Sequence, residues 1–197
     1  MKRTVLALAV SAAAFSAQAS DLDYSYVEGA YSKLDVGPDK LDGFSIDGSV
    51  EFSDSFYGFA GYQNNDQSPP EISIYTDIIL EEYNVGAGFR KSINDKTDWI
   101  SELSYIRDSG NIGNSLFKIN DNGYRIATGV RSLVSDKFEL NGKVNYTDAG
   151  DFGDGFGVGI SGVFRVNDSF GITAGYDYAD RSGSDLNGWN LGARFSF

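Results

Sequence analysis

Apolar and polar residues alternate along most of this chain with a period of two. In the segment that follows residue 137, Phe138, Leu140 and Val144 share one face, and Glu139 and Lys143 share the other. A period of two is typical of a β-strand whose two faces meet different surroundings. The pattern predicts ten strands, at residues 24–34, 44–52, 56–64, 81–93, 99–107, 122–134, 138–148, 155–166, 170–180 and 188–197.

Four short polar stretches separate pairs of these segments, and each leads into an aromatic residue. Asp, Asn and Ser favour tight turns because their side chains bond to nearby backbone groups. We therefore expect four short turns at one end of the strands and five longer connections at the other. The stretches are SDSF (53–56), NDKTDW (94–99), SDKF (135–138) and NDSF (167–170).

Segments of about ten alternating residues separated by turns are the signature of a transmembrane β-barrel. The sequence predicts an all-β fold, a closed antiparallel up-and-down barrel of ten strands that spans a membrane. An even count places both termini on the periplasmic side. A barrel of eight strands is the main alternative, and a soluble secreted β-sandwich, whose strands also alternate, is a second one.

The chain ends on an aromatic residue in the middle of a predicted strand. Trp189, Leu191, Ala193, Phe195 and Phe197 form the apolar face of this strand. Because lipid tolerates no open sheet edge, we expect the last strand to pair with the first. Trp189, Phe195 and Phe197 also resemble the terminal-Phe signal that the outer-membrane assembly machinery reads in Gram-negative barrels, which makes that machinery an expected partner.

The first nineteen residues have the composition of a secretory signal peptide. Lys2 and Arg3 precede an apolar run over 4–15, and Ala17-Gln18-Ala19 is a small-x-small cleavage site. The run is shorter than the ~20 residues that a helical span needs. We therefore expect residues 1–19 to be removed on export and residues 20–197 to form the barrel in the outer membrane.

The mature chain is strongly acidic. Without Lys2 and Arg3, it has 14 basic and 28 acidic residues. This excess argues against a nucleic-acid partner, which needs clustered basic charge. Acidic connections such as 35–43, 147–155 and 180–188 are expected to be solvated, with outer-membrane lipid and lipopolysaccharide as partners, bridged by divalent cations. Their spacing matches no defined metal site, so we predict none.

Histidine and cysteine are both absent from the sequence. Their absence removes Ser–His and Asp–His catalysis, the usual zinc ligands and thiol nucleophiles. We expect no enzymatic activity and no cofactor.

The predicted inner faces carry acidic and basic residues in equal number. A charge removed from bulk water needs a partner, so the sequence predicts a salt-bridged lumen. The alternative is a narrow, water-filled pore lined by mixed charge. The predicted luminal charges are Glu28, Asp47, Glu51, Arg90, Glu102, Arg125, Arg131, Glu139, Lys143, Arg165, Asp177 and Arg194.

The longest connection, 64–82, contains an apolar stretch outside the expected membrane span. A protruding strand there could recruit a surface protein partner by edge pairing, and packing over the barrel mouth is the alternative. Its candidate interaction residues are Ile72, Ile74, Tyr75, Ile78 and Ile79.

The stretch DLDYSYVEGAY (21–31) resembles a family of small outer-membrane barrels described as regulated by a diffusible signal factor. The terminal ARFSF and the whole strand pattern resemble the broader family of barrels related to the OmpA membrane domain and OmpX. These resemblances imply an outer-membrane location, release in vesicles, and links to adhesion or biofilm. We therefore expect a monomer that acts through its extracellular loops in adhesion, surface interaction or envelope integrity, with a small passive channel as the alternative.

Overall fold

Ten antiparallel strands close into a single barrel. The computed structural model describes residues 22–37, 39–67, 78–112 and 117–197. The strands are β1 (Tyr26–Val36), β2 (Asp39–Ser53), β3 (Phe56–Asp66), β4 (Ile78–Asn94), β5 (Thr97–Ile112), β6 (Phe117–Ser135), β7 (Phe138–Asp148), β8 (Asp154–Arg165), β9 (Phe170–Arg181) and β10 (Ser184–Ser196). Each strand pairs with its neighbours in sequence, and β1 pairs with β10. The closed ten-strand barrel is therefore confirmed.

Alternation separates an apolar outer surface from a polar interior. Ile46, Leu103 and Leu191 project outward and keep more than half of their surface exposed, at 53%, 58% and 54%. Inward-facing residues such as Arg90 and Arg131 are only 4% and 5% exposed. A closed barrel with an apolar outside and a polar inside is the arrangement that a bilayer requires of strands. Among the described residues, no helix is long and apolar enough to cross a membrane.

The four predicted short turns all form at the end of the barrel where β1 begins and β10 ends, here called the terminal end. Side-chain oxygens begin these turns: Ser53 Oγ accepts from the backbone N–H of Phe56 at 3.1 Å, and Asn167 Oδ1 accepts from that of Phe170 at 2.9 Å. The register shifts by one residue just before three of the turns, between Glu51 and Ser53 in the first of them. Such bulges increase the local twist that a closed barrel needs.

The strands are longer at the opposite end than the sequence predicts. The segments 35–43 and 180–188, predicted as long acidic connections, form strand hairpins, because β1 extends to Val36 and β10 begins at Ser184. The prediction of five long connections is therefore wrong. The reason is that polar residues continue the strand pairing of β1 with β2 and of β9 with β10 beyond the apolar part of each strand. Residues 22–25, predicted to lie partly in the first strand, precede it.

Strand β10 closes the barrel as predicted. Tyr26 pairs with Ser196 at one end of the β1–β10 ladder, and Val36 pairs with Leu186 at the other. Trp189 and Phe195 face outward with exposures of 43% and 55%, and the Phe195 and Phe197 rings lie 6.5 Å apart. The predicted signal peptide, 1–19, lies outside the described residues.

Two glycines on neighbouring strands provide a test of the inner packing. A methyl group at Gly129 would meet the backbone oxygen of Gly142 on β7, whereas within the described chain nothing lies within 4 Å of a methyl group at Gly142. We expect Gly129→Ala to lower the free energy of unfolding by about 1–3 kcal/mol, the usual effect of overpacking. Gly142→Ala is the matched control and should leave it nearly unchanged. Urea unfolding of the refolded barrel, followed by gel mobility, measures both, and equal stability of the two variants would contradict the packing.

Candidate functional site

The short segment before β1 turns into the lumen at the terminal end. Leu22 and Tyr24 are each 2% exposed. The Tyr24 ring lies between two guanidinium groups, with the carbons of Arg90 and Arg131 each 4.4 Å from its centroid. Its hydroxyl donates to Asp98 Oδ2 at 3.0 Å. Burial raises the pKa of Tyr24 above its ordinary value, so the hydroxyl remains protonated and can donate.

Apolar side chains complete the packing around Tyr24. Its ring centroid lies 4.9 Å from that of Tyr57, and the two belong to one buried cluster with Leu22, Ile100 and Leu133. These residues come from β3, β5 and β6 and from the segment before β1, so they meet across the lumen. Residues 22–25 thus act as a plug, the name used below for this segment.

Ion pairs surround the plug. Arg90 Nη2 lies 2.7 Å from Glu51 Oε1. Arg131 binds Glu139 through two hydrogen bonds, of 2.6 and 3.0 Å. Glu139, which is 3% exposed, also lies 3.5 Å from Arg165 and 3.4 Å from Arg194. One buried carboxylate therefore balances three guanidinium groups.

A second layer of charge lies at mid-lumen. Lys143 Nζ contacts both oxygens of Glu102 at 2.8 Å, and the Tyr57 hydroxyl donates to the same carboxylate at 2.7 Å. Arg194 Nη2 lies 2.8 Å from Glu28 Oε2 on the neighbouring strand. The contacts of Glu102 join strands that are two apart in the barrel order.

A third layer lies toward the opposite end. Arg125 forms a bidentate pair with Glu82, with bonds of 2.9 and 2.7 Å. Arg181 reaches from β9 to within 3.9 Å of Glu82 and 3.6 Å of Asp108. Since β9 lies four strands from β5 in the barrel order, Arg181 spans the lumen.

Between the plug and the opposite end, the lumen holds a cavity of about 910 Å³. Tyr26 and Tyr57 line it near the plug, and Val36, Phe152 and Leu186 line it at the opposite rim. The space is therefore a cup, closed by the plug and lined at its mouth by the ends of the strands. We call this space the cup below.

The twelve predicted luminal charges all lie on the inner wall. Ten of them form ion pairs, while Asp47 and Asp177 line the cup without one among the described residues. Whether this network has a function remains a prediction. Sequence reasoning missed five participants: Tyr24, Glu82, Asp98, Asp108 and Arg181. Asp98, Asp108 and Arg181 lie just beyond predicted strand ends, and Glu82 lies one residue inside such an end.

The candidate interaction residues fall in two groups. Ile72, Ile74 and Tyr75 lie outside the described residues. Ile78 and Ile79 begin β4, where Ile78 pairs with Ile112 and Ile79 with Asn111. These two isoleucines therefore extend the fourth strand beyond the apolar belt, which was one of the arrangements expected from the sequence.

Solved structures share this fold at low sequence identity. The NanC porin matches with a TM-score of 0.55 and 10% identity, over 87% of this chain and all of the porin chain. The translocator domain of the autotransporter NalP from Neisseria meningitidis matches with a TM-score of 0.51 and 11% identity, over 100% of this chain and 94% of that one. Ail, the attachment invasion locus protein of Yersinia pestis, matches with a TM-score of 0.45 and 16% identity, over 87% of this chain and 95% of that one.

The matches to the NanC porin and the NalP translocator domain, both with TM-scores above 0.5, confirm at the level of the fold the predicted similarity to outer-membrane barrels. No protein-family model matches the sequence. A comparison with curated proteins also finds no match. The narrower resemblance of residues 21–31 to the barrels regulated by a diffusible signal factor therefore remains a prediction.

Because three arginines surround Glu139, we expect the stability of the barrel to depend strongly on its negative charge. Glu139→Gln leaves buried guanidinium groups without their counter-charge, and we expect the free energy of unfolding to fall by about 3–5 kcal/mol. Asp136→Asn is the control, since Asp136 is 95% exposed where it pairs with Lys96 and exposed pairs contribute little. Urea unfolding compares the two, and a Glu139→Gln barrel as stable as the Asp136→Asn barrel would contradict the role of the network.

Proposed function

We propose that this chain is a non-enzymatic outer-membrane protein whose barrel is closed to ions and which acts at its extracellular surface. The observation that carries the proposal is the plug. Tyr24, Arg90, Arg131 and the apolar cluster fill the lumen at the terminal end. A filled cross-section offers no continuous water path, so function is left to the opposite end.

The outer surface supports the proposed location and orientation. Four outward-facing tyrosines lie near the end of the strands that is opposite the plug. Each donates its hydroxyl to a carboxylate on the next strand. Tyrosine rings at a membrane–water boundary have this arrangement, with the ring toward lipid and the hydroxyl toward water. The carboxylates there are placed to share divalent cations with lipopolysaccharide, which we propose as a lipid partner. The pairs are Tyr31–Asp42 at 2.7 Å, Tyr62–Glu81 at 2.8 Å, Tyr146–Asp154 at 3.0 Å and Tyr178–Asp185 at 2.7 Å.

A protruding sheet is the feature best suited to surface interaction. Strand β6 begins at Phe117, seven residues before the boundary residue Tyr124, which corresponds to about 23 Å of strand. It pairs with β5 over this length, but its pairing with β7 starts only at Tyr124. In the part of the chain that the structure describes, residues 117–120 therefore have no strand on their second side, whereas Asp121 accepts from the backbone N–H of Asp151 at 2.8 Å and Gly123 lies against Asp148. Such an edge can accept an extended segment of a partner protein.

Single-channel recording tests the closed lumen. We expect the refolded mature protein, with folding verified by heat-dependent gel mobility, to give no steady conductance in a planar bilayer. Leu22→Gly combined with Tyr24→Gly should produce ion flow, because the plug loses the side chains that fill the lumen. Tyr31→Ala, at an exposed outer position, is the control and should stay silent.

A small passive channel is the second candidate, and the cup favours it. Steady conductance of the wild-type protein, proportional to salt and altered by Arg125→Gln, would establish a channel and overturn the closed barrel. Silence of both the wild type and the plug variant would show that residues 22–25 are not what closes the lumen.

The protruding sheet can be tested separately. We expect replacement of residues 110–119 by an Asn-Gly turn, which suits a two-residue hairpin, to reduce attachment of expressing cells to surfaces. The change keeps the Ser109–Asn120 pair and the luminal Asp108 in place. Replacing residues 37 and 38 by Asn-Gly is the matched control. Equal attachment of the two variants at equal surface levels would contradict the role of the sheet.

A further inference from the structure

The cup is more acidic than its ion pairs require. Eight acidic and five basic residues line it among those that the structure describes. Glu28, Glu82 and Glu102 each lie within 3 Å of a basic group. Asp47 and Asp177 have no ion-pair partner in the described chain, although both are enclosed by the barrel wall. The lining therefore carries more acidic than basic residues, and two of its carboxylates lie outside the ion pairs.

Glycines on the neighbouring strands make room for these two carboxylates. Asp47 Oδ1 lies where a side chain at Gly61 would begin, and Asp177 Oδ1 lies where one at Gly159 would begin. Each carboxylate thus lies along the wall, with the cup in front of it. Asp47 is on β2 and Asp177 is on β9, so the two acids approach the space from different strands.

A third carboxylate has an unused acceptor. Asp108 is 6% exposed and lines the cup, and its Oδ1 atom has no hydrogen-bond partner within the described ranges. Its Oδ2 atom lies 3.6 Å from Arg181 Nη1, which is too long for a hydrogen bond. Asn141 Oδ1, also in the lining, is buried without a partner as well. Buried polar atoms are normally satisfied, whereas these two acceptors have no donor within the described chain.

The dimensions and the apolar lining narrow the class of ligand. A volume of about 910 Å³ lies in the range of small-molecule sites and far exceeds that of one metal ion. Tyr57, Phe59 and Leu80 contribute apolar or aromatic surface between the charged groups. Such a lining suits a chain of methylene groups, and tyrosine rings also attract ammonium groups.

We propose that the cup binds a linear polyamine, with its ammonium groups on Asp47 and Asp177 and its methylene chain along the apolar lining. The ligand enters past the rim residues Val36, Phe152 and Leu186, and the plug prevents it from passing through. The site therefore captures a small organic cation at the surface and does not conduct it. This inference goes beyond surface attachment, which does not require a filled cup.

Calorimetric titration of the folded mature protein with spermidine tests the proposal. We expect saturable binding to one site, weakened about tenfold by Asp47→Asn and about tenfold by Asp177→Asn, the change that follows from 1.4 kcal/mol for each lost charge contact. Asp154→Asn and Asp185→Asn remove the same charge from the outer surface and should leave the affinity unchanged. Equal weakening by the inner and outer variants would mean diffuse attraction by an acidic protein, and the absence of saturable binding would mean that water fills the cup. Either result overturns the proposal.

Chemical coupling gives a second measurement that needs no variant. Carbodiimide activates a carboxylate, and a neighbouring free amine then displaces the urea leaving group to form an amide. At one equivalent of spermidine, the bound amine should couple to Asp47 or Asp177 of the wild-type protein, as read by mass spectrometry, and Asp185 should stay uncoupled. Coupling spread equally over Asp185 and the two inner acids, or no coupling to either inner acid, would refute the site. Neither experiment depends on conductance or cell attachment, so failure of the cup and failure of the proposed surface function are distinguishable.

Discussion

The pairing of β1 with β10 is the constraint on which the rest of the molecule depends. In a bilayer, an unpaired backbone N–H or C=O group has no water to bond, so an open sheet edge is not tolerated at that depth. The ladder from Tyr26–Ser196 to Val36–Leu186 removes both edges at once. Closure also fixes which side chains face inward, because a slip of one residue would exchange the apolar and charged faces of a strand.

Closure creates a second constraint, because the charged side chains that it encloses need counter-charges within the lumen. Arginines in the lumen reach across to carboxylates on other strands, as Arg181 does toward Asp108 and Arg194 toward Glu139. Removing one member of such a buried pair is costly, because its partner keeps a buried charge that is less well balanced. The ion pairs thus hold opposite walls together, and they set the shape of the space between them.

The alternation in the sequence was sufficient to predict the barrel, the number of strands and the inward position of the twelve luminal charges. It could not predict where the strands end, because the period of two continues through polar residues that read as loops. Glu82, Asp108 and Arg181 were missed for that reason. Tyr24 was missed for a different one, since a residue that leaves the strand to fill the lumen has no periodic signal. Partners across the lumen are also absent from the pattern, because they depend on barrel closure and side-chain reach.

The number of strands explains why the lumen is filled at one end and hollow at the other. Eight strands enclose a space that their own side chains can fill, and ten enclose more. At the terminal end the chain fills the excess with Leu22 and Tyr24, held by Arg90 and Arg131. Toward the opposite end only Phe152 and its neighbours in the 150–153 turn reach the cup, at its rim, and glycines at positions such as 61 and 159 leave room for the side chains of the neighbouring strands. A barrel that only anchored surface loops would not need the extra width, and the space that this width leaves open lies in the half that faces away from the plug.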